Sequence, residues 1–276
     1  MSQAQANHEQ TRVLVVDDVL MHRELAGAML RGAGYEYTCV KAAAEAVEAV
    51  ENGEFNVVLM DVRMPVMDGL EATRKIRALE GPRGQVPIVA MTAQDFPEQL
   101  AKCRTAGMDS YLAKPFDEDS LYAAVGAACS SSQDAPSSLD ARLASIPPVP
   151  MLGSDLPILD ATVPERTAAL LEPQAFKTLK NQCWAVLRGL RALDYSPRPS
   201  GALVQAVHTL AGCAGMFGYE RLAFVARHFE HAVRGGAAET ATLAGNFRAA
   251  LRVTLQEMRK RSPNYVNEID TETKLV

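Results

Sequence analysis

Several things are missing from this chain, and each absence removes a class. No apolar run in its 276 residues approaches the roughly 18 to 20 that a membrane-spanning helix needs. The start, Met1 to Arg12, is polar and has no apolar core of the kind a secretory signal carries. Five cysteines (Cys39, Cys103, Cys129, Cys183, Cys213) are scattered without a Cys-x-x-Cys pair. That spacing argues against a disulfide framework or a zinc site and for reduced thiols in a cytoplasm. No glycine-rich loop follows the first apolar run, where Asp17-Asp18-Val19-Leu20 stands instead, so a nucleotide-binding domain is not expected. A phosphatase with an aspartyl nucleophile would want its carboxylate pair spaced differently on the first strand, and is set aside as well.

What is present has ordinary globular composition, 48% apolar and 22% charged, at a length that allows two domains. The net charge of −5 hides an asymmetry. Residues 11–129 carry 12 Lys and Arg against 18 Asp and Glu, a net of −6, whereas residues 160–262 carry 14 against 8, a net of +6. Acidic and basic halves point to docking on each other or on partners, with chance drift of surface charge as the equally weighted alternative.

The first half is organised around Val57-Val58-Leu59-Met60-Asp61. Four apolar residues running into a carboxylate read as a strand buried on both faces. Asp61 then stands at the carboxyl edge, where open α/β sheets bind their ligands. Val13-Leu14-Val15-Val16 is a second such run, ending in Asp17-Asp18. Tyr35–Val40, Pro87–Met91 and Ser110–Ala113 complete five strands. Helices are expected over Leu20–Arg31, Lys41–Asn52, Leu70–Leu79, Gln94–Ala106 and from Asp117 to about Cys129. Strands alternating with helices make a doubly wound parallel sheet of the flavodoxin-like kind. Asp17, Asp18, Asp61, Thr92 and Lys114 then share one edge. Three carboxylates tolerate joint ionisation only with a cation, and hard oxygen donors suit Mg2+. A lysine and a hydroxyl beside them can hold a phosphoryl group, which makes Asp61 a candidate nucleophile.

These residues resemble a response-regulator receiver domain over 11–129. Asp17-Asp18, the Met60-Asp61-x-x-Met64-Pro65-x-Met67-Asp68-Gly69 run, Met91-Thr92-Ala93 and Lys114-Pro115-Phe116 match in order and spacing. The resemblance implies that Asp61 accepts phosphate. It implies that Asp18 and Asp61, helped by Asp17 and the Arg63 backbone carbonyl, hold Mg2+. It also implies that Thr92 and Tyr111 form the switch pair, and that Lys114 reaches the phosphoryl group through a cis peptide to Pro115.

Residues 130–158, with Ser130-Ser131-Ser132, Pro136, Pro147-Pro148-Val149-Pro150 and Pro157, read as a semi-flexible tether in which Ser138–Ser145 is at most a helical turn or two. Beyond it only helical signals occur. Leu170–Leu193, Gly201–Phe217, Glu220–Arg234 and Ala238–Arg261 are expected to form a four-helix bundle, followed by a polar tail over 262–276. On the second of these helices Leu203, Val207, Leu210, Ala214 and Phe217 make the core seam. His208 falls beside that seam, outside it, with Gly212 and Gly215 one and two turns later. Mid-helix glycines cost about 1 kcal/mol each relative to alanine. Periodicity leaves two readings open: clearance for a molecule approaching an exposed imidazole, or tight helix packing beside a surface histidine. His228 and His231 are i, i+3 and read as a solvated face, while Phe176 and Trp184 read as core.

His208-Thr209-Leu210-Ala211-Gly212-Cys213-Ala214, with Gly218 and Arg221-Leu222 following, resembles a histidine phosphotransfer (Hpt) domain over roughly 159–261. The resemblance implies that His208 is the phosphoacceptor. A basic residue usual three positions after that histidine is replaced by Ala211, which puts the rate of transfer in doubt. The expectation is a cytoplasmic receiver–phosphotransfer fusion in a phosphorelay, not an enzyme beyond phosphorylation and dephosphorylation at Asp61. Its partners are expected to be a sensor histidine kinase or other receiver and phosphotransfer proteins. Neither nucleic-acid binding nor membrane insertion is expected, and the tether is long enough to let the second half fold back and dock on the first within one chain. The alternatives are a phosphorylation-switched binding module and a phosphate sink.

Overall fold

A computed structural model describes residues 11–92, 97–130, 156–192, 201–235 and 240–261. The chain forms two compact units. The stretch of the tether from 131 to 155, including Ser138–Ser145, and the tail from 262 lie outside the described residues.

In the first unit, β1 (Arg12–Val16), β2 (Glu36–Val40), β3 (Val57–Asp61), β4 (Ile88–Thr92) and β5 (Ser110–Ala113) form one parallel sheet in the order β2-β1-β3-β4-β5. Its helices are α1 (Leu20–Gly32), α2 (Ala43–Asn52), α3 (Gly69–Arg77), α4 (Pro97–Ala106) and α5 (Glu118–Ser130). Every residue of β3 and β4 is buried, whereas β2 at the sheet edge is largely exposed. That contrast explains the composition: central strands covered on both faces need unbroken apolar runs, and an edge strand can carry Glu36 and Thr38. One core cluster joins Leu14, Val16, Val58, Met60, Ile88 and Ala90 of the sheet to Ala46, Val50, Ala72 and Ile76 of α2 and α3. The strand predictions hold to within a residue; the expected start of the fourth helix, Gln94, lies outside the described residues.

The second unit is helical. Its elements are α6 (Thr162–Leu170), α7 (Pro173–Ala192), α8 (Gly201–Met216), α9 (Glu220–Gly235) and α10 (Thr240–Arg261). Four helices were expected and five are described, since α6 precedes the expected set and the helix expected from Leu170 starts at Pro173. Local chemistry accounts for both. Asp160 accepts from the Thr162 amide at 2.9 Å and from its hydroxyl at 2.7 Å, the arrangement that opens a helix. Pro173 disfavours helical geometry at Glu172 and then serves as the first residue of the next helix. Gly218, between α8 and α9, has φ +77°, and a Cβ there would lie 2.1 Å from the Asp160 carbonyl oxygen. Only glycine permits both the turn and that approach. Trp184 is buried, as expected, and the Phe176 ring meets Phe217 edge-on at 5.8 Å. Cys183 and Cys213 are buried side by side, and the hydrogen bond between them, with burial, pushes the Cys183 thiol well above its ordinary value. Among the described residues no helix is long and apolar enough to cross a membrane.

Candidate functional sites

Asp61 closes β3, the middle strand of five, and its register partner Met91 immediately precedes Thr92, which is in turn paired with Ala113. Because parallel strands end in step, Asp17, Asp61, Thr92 and Lys114 come out along one edge, as the sequence predicts. Asp17, Asp61, Thr92 and Lys114 are all buried, and Asp18, directly after Asp17, is half-buried.

The ammonium of Lys114 is the electrostatic centre of this edge. Its Nζ lies 2.5 Å from Asp17 Oδ2 and 2.9 Å from Asp61 Oδ2. Burial favours the neutral amine, but the two carboxylates overcome it and hold Lys114 above its ordinary value. Burial likewise pushes the Asp17 carboxyl up, yet His22 and Lys114 beside it win and keep it well below the usual carboxylate range. Asp17 Oδ1 also accepts from the Val19 amide at 2.9 Å. Asp17, Asp18 and Asp61 bring three carboxylates to an edge with one ammonium, and such a set of oxygen donors fits a hard divalent cation.

The backbone around Asp61 is held from two sides. Gly69 opens α3 so close beneath it that a Cβ would sit 2.1 Å from the Asp61 carbonyl oxygen and 3.0 Å from Met60 Cγ. Asp68 caps the same helix by accepting from the Glu71 amide at 2.8 Å. The Arg63 amide donates to Asp61 Oδ1 at 3.1 Å, which folds the loop back over the carboxylate. On the far side the Lys114 amide donates to the Thr92 carbonyl at 2.7 Å, and the Lys114–Pro115 peptide is cis, as the resemblance implies. Tyr111 is half-buried and packs against the core.

His22 is the residue that sequence reading missed. It is buried on α1 with Nδ1 2.9 and 3.0 Å from the two Asp17 oxygens and 3.3 Å from Lys114 Nζ. The signal was available: His22 shares the buried stripe of Met21, Leu25, Ala26 and Met29, and a polar residue on such a stripe needs a partner.

In the second unit His208 is 3% exposed, not the exposed imidazole expected. From Gly201 to Met216 α8 has no charged residue, and every residue from Leu210 to Met216 is buried. His208 Nδ1 is 3.2 Å from Glu230 Oε2 on α9, and Glu230 Oε1 accepts from Arg234 Nε at 3.0 Å. The carboxylate fixes Nδ1 as the protonated ring nitrogen, which leaves the lone pair on Nε2. Glu230 was also missed, although a buried glutamate next to Phe229 on the apolar face of α9 is a visible anomaly. Gly212 and Gly215 are buried on the same helix as His208, and Ala211 is fully buried. His228 Nδ1 is bonded to the Phe224 carbonyl at 2.9 Å, with its ring against Phe224 at 4.1 Å.

Comparison with known proteins agrees in both halves. Residues 13–126 match the family described as response regulator receiver domain, and residues 175–261 match the Hpt domain. Sensor protein GacS of Pseudomonas syringae pv. syringae is 44% identical over 112 residues, which is 40% of this chain and 12% of that protein. The CAI-1 autoinducer sensor kinase/phosphatase CqsS of Vibrio cholerae is 37% identical over 123 residues, 45% of this chain and 18% of that one. Among solved structures, the receiver domain of sensor histidine kinase PA1611 from Pseudomonas aeruginosa, which has a magnesium ion in its active-site cleft, is 40% identical. That match covers 42% of this chain and 98% of that domain, at a TM-score of 0.39. The chain thus spans less than a fifth of the length of these two curated relatives.

Proposed function

Since the chain carries a receiver domain followed by an Hpt domain, both phosphotransfer signalling modules, we propose that it relays phosphoryl groups through Asp61 and His208. The observation that carries this reading is the Lys114 ammonium bonded to both Asp17 and Asp61 at the open end of the sheet. An ammonium held there is placed to shift from carboxylate to phosphoryl oxygens as an acyl phosphate forms.

In the forward step an Asp61 oxygen attacks the phosphorus of a phosphohistidine on a donor protein. The P–N bond breaks as the P–O bond forms, and the donor imidazole keeps the electron pair. Asp18, Asp61 and the Arg63 carbonyl, with Asp17 beside them, would hold Mg2+, which neutralises charge on the transferring group. Thr92 offers its hydroxyl to the phosphoryl oxygens, and Tyr111 follows that movement as the switch. At His208, Nε2 is the nucleophile, because Glu230 engages Nδ1 and stabilises the positive ring that phosphorylation produces. Gly212 and Gly215 leave room for the incoming receiver aspartate. The donor class is a sensor histidine kinase or another phosphotransfer protein, and the same fusion allows the two domains to dock within one chain.

Exposure to a small acyl phosphate donor with Mg2+ should give base-labile phosphate that Asp61→Asn abolishes. Equal labelling of that variant would sink the receiver-site assignment. A second reading, a binding module switched by Asp61 phosphorylation, is favoured by Ala211, whose buried position offers no cation beside His208. It predicts labelling at Asp61 with none at His208.

A further inference from the structure

We infer that the helical unit binds an aromatic monocarboxylate in a cavity between α6, α7, the α8–α9 turn and the end of α10. The cavity has a volume of about 260 Å³, and neither His208 nor Glu230 lines it. It is therefore a site apart from the proposed phosphoryl chemistry, and it stands or falls without it.

The lining is graded from apolar to polar. Phe176 and Trp184 come from α7, Phe217 and Tyr219 from the turn, and Met258 from α10. Trp184, Phe217 and Met258 are buried, and Phe176 meets Phe217 edge-on at 5.8 Å. The charged side chains of the lining are less buried: Lys180 is half-buried and Glu165 is exposed. The cavity thus has an apolar, aromatic floor and a charged rim. An apolar cavity left unfilled costs stability in proportion to its volume, because its lining lacks partner atoms. Water fills such a floor poorly, since an ordered water needs roughly two to four polar partners.

Each part of the lining selects one part of the ligand. Aromatic walls favour a flat ring, which packs on them edge-on or offset. A half-buried lysine keeps its stem against apolar surface and its ammonium in water, so Lys180 offers a cation where the ring's substituent emerges. A carboxylate there accepts a charge-assisted hydrogen bond. Glu165 brings a negative charge to the same rim, and like charges repel. A second anionic group on the ligand is therefore disfavoured, which limits the class to monocarboxylates.

Trp184 is the chain's single tryptophan, so its fluorescence reports on the cavity directly. The probe is para-bromobenzoate, whose bromine quenches an indole in contact with it, titrated into the full chain. Saturable quenching is expected, with neutral bromobenzene binding about tenfold more weakly. Lys180→Met should lower the carboxylate's affinity about tenfold and leave that of bromobenzene unchanged. Glu165→Gln should hold or raise the carboxylate's affinity. Quenching that rises without saturating, or equal affinity for the two probes in the unaltered chain, overturns the inference without any variant having to fold. Carboxylate affinity that is unchanged in Lys180→Met, or lost in Glu165→Gln, overturns it too.

Discussion

At the scale of single residues, both candidate sites use one arrangement: an ionised group buried against an opposite charge. For Lys114 this makes stability depend on pH at both extremes. The Asp17 pKa is depressed in the folded chain, so its contribution is present above the unfolded value of 3.8 and is lost as pH falls below it. The Lys114 pKa is raised, so its contribution is complete below the unfolded value of 10.5 and is lost only as pH climbs past it. Lys114→Met should therefore cost about 3–5 kcal/mol near neutrality, because two buried carboxylates lose their shared partner. Added Mg2+ should recover more stability in that variant than in the parent. Urea unfolding with and without the ion measures both, and an equal Mg2+ effect in the two chains would contradict the shared-charge account. Glu230→Leu gives the matching experiment at His208. Losing the carboxylate frees the tautomer, so phosphoryl uptake at His208 should slow by roughly 10–100-fold while unfolding shows a retained helical core. Uptake at the parent rate would mean Glu230 is structural only.

At the scale of elements, the strands were legible and the helical unit less so, for a physical reason. β1, β3 and β4 are enclosed on both faces, so burial forces an apolar run that ends abruptly at Asp17, Asp61 and Thr92, and the carboxyl edge can be read from where each run stops. α8 offers no such boundary. Its seam was read correctly, but enclosure on further faces needs only small or apolar residues, and Ala211, Gly212 and Ala214 serve equally well at a surface. His22 and Glu230 each stand as a polar residue on an apolar stripe, which signals a partner without naming it; the partners, 5 and 22 residues away, come from the fold. The turn between β3 and α3 was legible from Asp68-Gly69, yet the reason for glycine was not. Gly69→Ala drives a methyl group into the Asp61 carbonyl, and backbone cannot yield as a side-chain tip does. Overpacking of this kind costs about 1–3 kcal/mol. Phosphate uptake at Asp61 should fall along with the melting temperature. Full uptake in a destabilised chain would show that Gly69 serves packing alone and does not position the carboxylate.

At the scale of the whole molecule, two proposed phosphate sites on domains of opposite net charge set up a question of flow. If the acidic and basic halves dock on each other or on their counterparts through exposed charges, that attraction is screened beyond about 8 Å at physiological ionic strength. Transfer between an Asp61 phosphate and His208 should therefore slow as salt rises, with the buried carboxylate–ammonium contacts little affected. The two phosphates are chemically distinct: acyl phosphate is lost in base, whereas phosphohistidine survives base and is lost in acid. His208→Gln should remove the acid-labile, base-stable fraction. Mixing Asp61→Asn chains with His208→Gln chains separates the routes, because label can reach His208 in that mixture only by passing between chains. Label that reaches His208 in the unaltered chain but not in the mixture means transfer within a single chain. Label in neither, from a phosphorylated receiver partner or from this chain's own Asp61 at low salt, would end the relay reading and leave the Hpt domain as a binding module that answers to Asp61.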